Sequence, residues 1–193
     1  PDWGRNKEFT EIRMHSKAKK IMIVGAGPAG MEAARMAATR GHDVTLYDKE
    51  KEMGGQLLYA AKPTGKDKLL WVRDYEGKQL KKLKVKVELG TEVTPELVSK
   101  TKPDAVIVAT GAEPLIPDIP GIKGKKVVKA IDVLAGRVEL KNKKVVIAGG
   151  GMIGTEVGEF LVDGGNRVTV VEMLPTVAAD MEPLNRLGLM EAL

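Results

Sequence analysis

Apolar residues fall in short continuous runs separated by longer helical stretches, so the chain reads as alternating strand and helix. Ile21-Met22-Ile23-Val24, entered through Lys19-Lys20, is too short for anything but a buried strand over 20–24. The alanine-rich stretch 28–40 predicts a helix stopped by Gly41. A second strand over 43–47 follows, parallel to the first by the right-handed crossover rule. Residues 49–65 are irregular, with Gly54-Gly55 at a sharp turn, and a loop of that length inside a compact domain is often functional. Residues 66–83 predict a helix with Leu69, Val72, Leu80 and Leu83 near one face, and Trp71 reads as packing. Val85 to Leu89 alternates as a strand. Residues 95–101 predict a short helix with Thr94 as N-cap and Pro95 in its first turn. Ala105 to Ala109 is continuously apolar, as expected of a central parallel strand, and ends in Thr110-Gly111.

The proline- and glycine-rich stretch 112–124 reads as a linker. After it, Lys126 to Lys129 and a turn over Ile131-Asp132-Val133-Leu134 lead into a strand over 144–148. A helix over 152–163, stopped by Gly164-Gly165, and a strand over 167–171 complete the second series. Too few residues follow Glu172 for a full doubly wound domain, so the second unit is expected to be incomplete. Residues 1–18 show no sustained periodicity and read as an arm, where Trp3 and Phe9 cover a neighbouring surface or pack locally.

The first strand runs into Gly25-Ala26-Gly27-Pro28-Ala29-Gly30, a G-x-G-x-x-G turn at a helix start. Such a turn grips the pyrophosphate of a dinucleotide. Its first glycine makes the tight turn, its second lets backbone approach the phosphates, and its third lets helix pack on strand. Pro28 suits the first helical turn, where a missing N–H costs nothing. Asp48 ends the second strand 23 positions after Gly25, where a carboxylate would hold an adenosine ribose. The plan recurs 124 residues later, with Gly149, Gly151 and Gly154 in the turn and Glu172 again 23 positions after the first glycine. The fold class expected is therefore α/β, with two Rossmann-like parallel-sheet dinucleotide-binding units in series, the second truncated. Gly65-Lys66 is followed by Asp67 and is not a phosphate-binding P-loop.

Composition narrows the chemistry. The 193 residues include no cysteine, which removes disulfides, thiolate metal sites and thiol catalysis. With only His15 and His42, each read as a surface residue, a histidine-based metal or catalytic cluster is not expected. Redox chemistry here would belong to a bound cofactor. The net charge of +5 comes from lysines at 17–20, 81–86, 123–126 and 141–144, which alternate with apolar residues. They read as solvated faces, so neither nucleic acid nor membrane is expected as a partner. No apolar run approaches a membrane span, and the N-terminus does not read as a signal peptide. The expected compartment is cytoplasmic.

Two such motifs in series, joined by a Thr-Gly strand end and a proline-rich link, resemble the flavoproteins with two dinucleotide-binding domains. The residues that carry the resemblance are Gly25 to Gly30, Gly54-Gly55-Gln56-Leu57, Val108 to Pro114 and Gly149 to Glu156. The disulfide-reductase branches place a redox cysteine pair just after Gly54-Gly55 or in the second domain. Neither position has cysteine, so those activities are excluded. Gly55 to Leu58, Ala60 to Pro63, Leu115 to Gly121, Ala130 to Leu134 and the end from Val171 through Asn185-Arg186 resemble a narrower group. That group is the C-terminal half of the multi-cofactor old-yellow-enzyme relatives: 2,4-dienoyl-CoA reductase, 2-enoate reductase, NADH:flavin oxidoreductases and trimethylamine dehydrogenase.

The resemblance implies a fragment of a flavin oxidoreductase, with an arm at 1–18, an FAD-binding portion at 19–112, a linker at 113–125 and an NAD(P)H-binding portion at 126–193. Pro1 to Phe9, with Gly4-Arg5, resembles the segment after the last cluster cysteine of a parent that carries an FMN barrel and a 4Fe-4S cluster. Those parts of the parent polypeptide would be its partners. The resemblance further implies that Gly25, Gly27, Pro28, Ala29 and Gly30 hold the FAD pyrophosphate. Asp48, where the group usually has Glu, would hold the adenosine ribose with Lys49 beside it. Gly55 and Gln56 would lie near the flavin ring, Val93 near adenine, and Ala109, Thr110 and Gly111 beside the cofactor. Gly149, Gly151, Met152, Ile153 and Gly154 would hold the NAD(P)H pyrophosphate, Glu172 its ribose, and Glu156 would lie near the nicotinamide. A carboxylate at Glu172 with no arginine after it favours NADH over NADPH. Hydride would pass from NADH to FAD, and electrons onward to reduce an enoate- or dienoyl-type substrate. No catalytic side chain and no metal ligand is implied. The alternative is a non-catalytic, ADP-holding domain like that of the amine dehydrogenases. The isolated chain is expected to be inactive and to hold FAD weakly or not at all, because the segment that completes the FAD domain in this superfamily is absent.

Overall fold

The structure, a computed structural model, describes Met14 and residues 17–192. The expectations for Pro1 to Phe9, including Trp3, Gly4-Arg5 and Phe9, and for His15 lie outside the described residues. The chain divides into two compact units. The first takes the residues up to Leu57 together with Leu69–Ala112, and the second takes Leu58–Lys68 and the residues from Glu113 onward. Residues 58–68 thus cluster with the second unit.

The first unit holds β1 (Lys20–Val24), α1 (Pro28–Thr39), β2 (Asp43–Asp48), α2 (Leu57–Ala60, which ends in the second unit), α3 (Leu70–Lys82), β3 (Lys86–Leu89), α4 (Pro95–Thr101) and β4 (Ala105–Val108). All pairings are parallel, in the order β3-β2-β1-β4. β1 pairs on both sides, Ile21 with Val44 and with Ala105, so its apolar run is buried where the strand is fully flanked. Ile21, Ile23, Val44, Leu46, Met31, Ala34 and Leu80 form one core. The alanines of α1 let the helix lie close on the sheet there.

Two expectations are corrected in this unit. β4 is not a central strand among the described residues. It pairs with β1 alone, and Val108 is 73% exposed. A continuous apolar run marks burial on both faces only when both sides and both faces are covered. The face expected on α3 buries Leu80 alone of the expected four, while Leu69, Val72 and Trp71 are exposed, Trp71 by 65%. The helix begins at Leu70 after a 3₁₀ turn over Asp67–Leu69. α4 starts as expected, with the Thr94 Oγ1 accepting the Leu97 N–H at 3.4 Å.

The second unit holds α5 (Ala130–Leu134), β5 (Lys144–Ala148), α6 (Met152–Asp163), β6 (Arg167–Val171) and α7 (Pro183–Ala192). β5 and β6 pair in parallel from Lys144–Arg167 to Ala148–Val171. The turn expected over 131–134 is the short helix α5, which brings Val133 against Val157 and Leu161 of α6.

Candidate nucleotide-binding sites

The two glycine turns are built alike, bond for bond. Gly25 and Gly149 both take φ +107°, a conformation open to glycine and strained for other residues. Their amides donate to carbonyls near the ends of the neighbouring strands, Gly25 to Tyr47 at 2.8 Å and Gly149 to Val171 at 2.9 Å. A Cβ on Gly30 would fall on the Gly25 carbonyl oxygen, and one on Gly154 would fall on that of Gly149. The third glycine is therefore fixed by contact between helix and turn. Gly27 and Gly151 are extended N-caps, at φ −75° and −70°, and neither helix start has a cap from the N-cap side chain.

The strand-end acids hold these turns. Asp48 Oδ2 accepts the Ala26 N–H at 2.6 Å and its Oδ1 accepts the Glu50 N–H at 2.8 Å. Glu172 Oε2 accepts the Gly150 N–H at 2.7 Å and its Oε1 accepts the Leu174 N–H at 2.9 Å. The Leu174 and Gly150 amides hold the Glu172 carboxyl below the usual carboxylate range, so it stays ionised. Each acid keeps further lone pairs for a hydroxyl donor.

The other candidates distribute as follows. Gly54 (φ +124°) and Gly55 (φ +52°) turn beneath the first loop, where the Gly54 N–H donates to the Ala26 carbonyl at 2.9 Å. A Cβ on Gly55 would stand 3.0 Å from the Gly27 Cα. Gln56 Nε2 donates to the Ala112 carbonyl at 2.7 Å, which ties the loop to the end of β4. Ala109 continues the strand through its N–H to Val24 at 2.8 Å, and Gly111 turns at φ +78°. Pro28, Ala29, Lys49 and Thr110 are exposed, and Val93 is half-buried. In the second unit Met152 and Ile153 are exposed, and Glu156 forms an ion pair with Lys66. Among the described residues, no group of His, Asp and Glu could hold a metal ion. No helix among them is long and apolar enough to cross a membrane.

Sequence reasoning missed three residues here. The Ala178 N–H donates to the Gly150 carbonyl at 2.6 Å, and Asp180 Oδ1 accepts the Met152 N–H at 2.8 Å. Val177 packs by the loop, where a Cβ on Gly150 would stand 3.0 Å from its Cγ1. The signal that finds them is the 124-residue offset itself, which lays Ala178-Ala179-Asp180 over Gly54-Gly55-Gln56.

Residues 19–193 match the family described as pyridine nucleotide-disulphide oxidoreductase. The chain belongs to this family. It is thereby part of an oxidoreductase family of nucleotide-binding flavoproteins. An NADH oxidase of Thermoanaerobacter brockii is 43% identical over 99% of the chain and 30% of that protein. A cinnamate reductase of Clostridium sporogenes is 41% identical over 90% of the chain and 25% of that protein. A solved 2-naphthoyl-CoA reductase superposes with TM-score 0.90 at 36% identity, over 94% of the chain and 27% of its own. The chain thus spans less than a third of these relatives, and the resemblance to the C-terminal nucleotide-binding region of old-yellow-enzyme-like reductases agrees with them.

Proposed function

We propose that this chain is the dinucleotide-binding part of a flavin-dependent oxidoreductase, with FAD at the first glycine loop and NADH at the second. The carrying observation is the open start of α1. Pro28 removes one N–H, and a Cβ on Gly27 would meet nothing closer than the Gly55 Cα at 3.9 Å. The first turn of α1 contains no acidic residue, and the partial positive charge of its helix start favours a phosphate. These residues fit FAD: Gly25, Gly27, Ala29 and Gly30 around the pyrophosphate, and Asp48 with Lys49 at the ribose. Gly55, Gln56, Ala109, Thr110 and Gly111 would stand toward the ring, and Val93 toward adenine.

At the second loop, Gly149, Gly151, Met152, Ile153 and Gly154 would take the pyrophosphate and Glu172 the ribose. The ionised Glu172 repels a 2′-phosphate, which favours NADH over NADPH. Glu156 would stand near the nicotinamide. When bound, this cofactor pair supplies hydride transfer from nicotinamide to flavin; the chain's residues bind and orient. The names of the cinnamate and naphthoyl-CoA reductases support a parent that reduces an enoate-type substrate; the resemblance set out above implies that an FMN barrel and an iron–sulfur segment would carry the electrons there.

Calorimetric titration of the chain with FAD and with ADP tests this reading. Both are expected to bind. D48N keeps an acceptor for the Ala26 N–H but loses the charge, and should weaken both by about tenfold. Equal affinities for FAD and ADP would leave only the adenosine half recognised, as in an ADP-holding domain. Binding of neither would overturn the proposal.

A further inference from the structure

The two loops differ in one place that bears on ligand access. At the first, Gln56 turns aside to the Ala112 carbonyl, and among the described residues no side chain caps the start of α1. At the second, the residue in the same repeat position is Asp180, and it turns inward. Its Oδ1 accepts the first N–H of α6, from Met152, at 2.8 Å. Its Oδ2 lies 3.3 Å from where a Cβ on Gly151 would stand. That is the face the second glycine of the motif leaves open for pyrophosphate. The first loop cannot be capped in this way, because Pro28 stands where Met152 does and has no N–H.

The backbone around Asp180 is held down as a strap. The Ala178 N–H is bonded to Gly150, Met181 N–H closes a turn on the Ala178 carbonyl at 3.1 Å, and Arg186 Nε donates to the Val177 carbonyl at 3.0 Å. Ala178 is fully buried and sits at φ +51°, where the equivalent Gly54 has no Cβ to strain. Asp180 itself is exposed. Its side chain can therefore leave the helix start without opening the strap's buried part.

We infer that Asp180 governs dinucleotide access to the second glycine loop: its carboxylate holds the place of the pyrophosphate and swings out when a dinucleotide seats. The inference rests on reading that loop as a dinucleotide site. Carboxylate and phosphate compete for the same amides and the same helix-end charge, so the resident carboxylate lowers the apparent affinity.

The test is calorimetric titration of the chain with NADH and with adenosine, in wild type, D180N and D180A. Each is repeated in an E172A background to isolate the second site's share. NADH should bind D180A about tenfold more tightly than wild type, with D180N between them. Adenosine, which has no pyrophosphate, should bind all three alike. Amide exchange at Met152 should quicken in D180A, which reports the lost cap without any ligand. Unchanged or weaker NADH binding in both variants overturns the inference, and so does a lack of NADH binding in all three. In that last case, adenosine binding that is lost with E172A preserves the nucleotide-site reading. Its absence takes down both.

Discussion

The first and second glycine turns share backbone angles and hydrogen bonds but not surroundings. Gly25 lies under β4: a Cβ there would stand 2.7 Å from the Ala109 carbonyl carbon and 3.1 Å from the Thr110 Cα. Gly149 has the same φ and nothing within 4 Å. The helices diverge in the same sense. The buried Met31 of α1 is matched by Thr155 of α6, equally buried, which spends its hydroxyl on the Gly151 and Met152 carbonyls at 3.0 Å each. The turn's form therefore comes from local chemistry, namely glycines, a strand-end acid and a helix start. It does not depend on how many strands flank it.

That comparison can be broken by substitution. G25A and G149A incur the same backbone strain, about 1–3 kcal/mol. Only G25A also drives a methyl into backbone that cannot yield. Loss of the first unit's protection in amide exchange under G25A is expected, with the second unit spared. G149A should leave a folded but weakened second unit. Equal losses would mean that strain alone decides, and that the β4 contact is inconsequential.

A second pair tests the other end of the repeat. Asn166 and His42 stand 124 residues apart, each just before the second strand of its unit. Asn166 is buried; its Oδ1 accepts the Lys143 N–H at 3.1 Å, and its Nδ2 donates to the Leu140 and Leu161 carbonyls at 2.9 Å each. At His42 the Nδ1 accepts the Lys19 N–H at 3.2 Å, the counterpart of the Lys143 bond to Asn166. N166A takes the side-chain partner from the Lys143 N–H and the Leu140 carbonyl, while the Leu161 carbonyl keeps the Asn166 N–H at 3.1 Å, and should cost about 2–4 kcal/mol in denaturant unfolding of the second unit. H42A should cost about 1 kcal/mol in the first. A larger loss from H42A would reverse the assignment of where each unit is pinned.

The parts of the molecule legible in sequence were those fixed by local rules. The strands over 20–24, 144–148 and 167–171 and the helix over 152–163 carry unambiguous periods and glycine stops, and the structure has them with those bounds. What could not be read depended on distant packing. Whether 105–108 is central depends on neighbours that the run itself does not encode. The exposure of Val72 and Trp71 depends on which side of α3 meets α1. At the sites, the glycines and strand-end acids follow from motif spacing. Asp180 was invisible because its meaning lies in alignment with Gln56 across the repeat, where neither residue type matches.

The smallest effects concern two carboxylates whose environments push in opposite directions. Glu172 is held below the usual range by the Leu174 and Gly150 amides, so its stabilisation is present above the unfolded value, near pH 4, and fades as pH falls through its lower folded value. Glu76 is buried on α3, with an Oε2 that has no hydrogen bond and Arg35 Nε 3.7 Å away. Burial raises its pKa, and the nearby Glu32 adds to this. Its folded value lies above the unfolded one, so the native first unit binds the proton more tightly. Stability from this group is then greatest in acid and declines as pH rises from about 4 toward neutrality. E76Q removes that decline and gives the lone oxygen's place to an amide that can donate to Glu32. The variant should unfold at slightly higher temperature than wild type at pH 7 and at no higher temperature at pH 4. E172Q should do the reverse in the second unit, flattening the acid side alone. If both substitutions flatten the same side, the two units do not differ in the way their carboxylates are held.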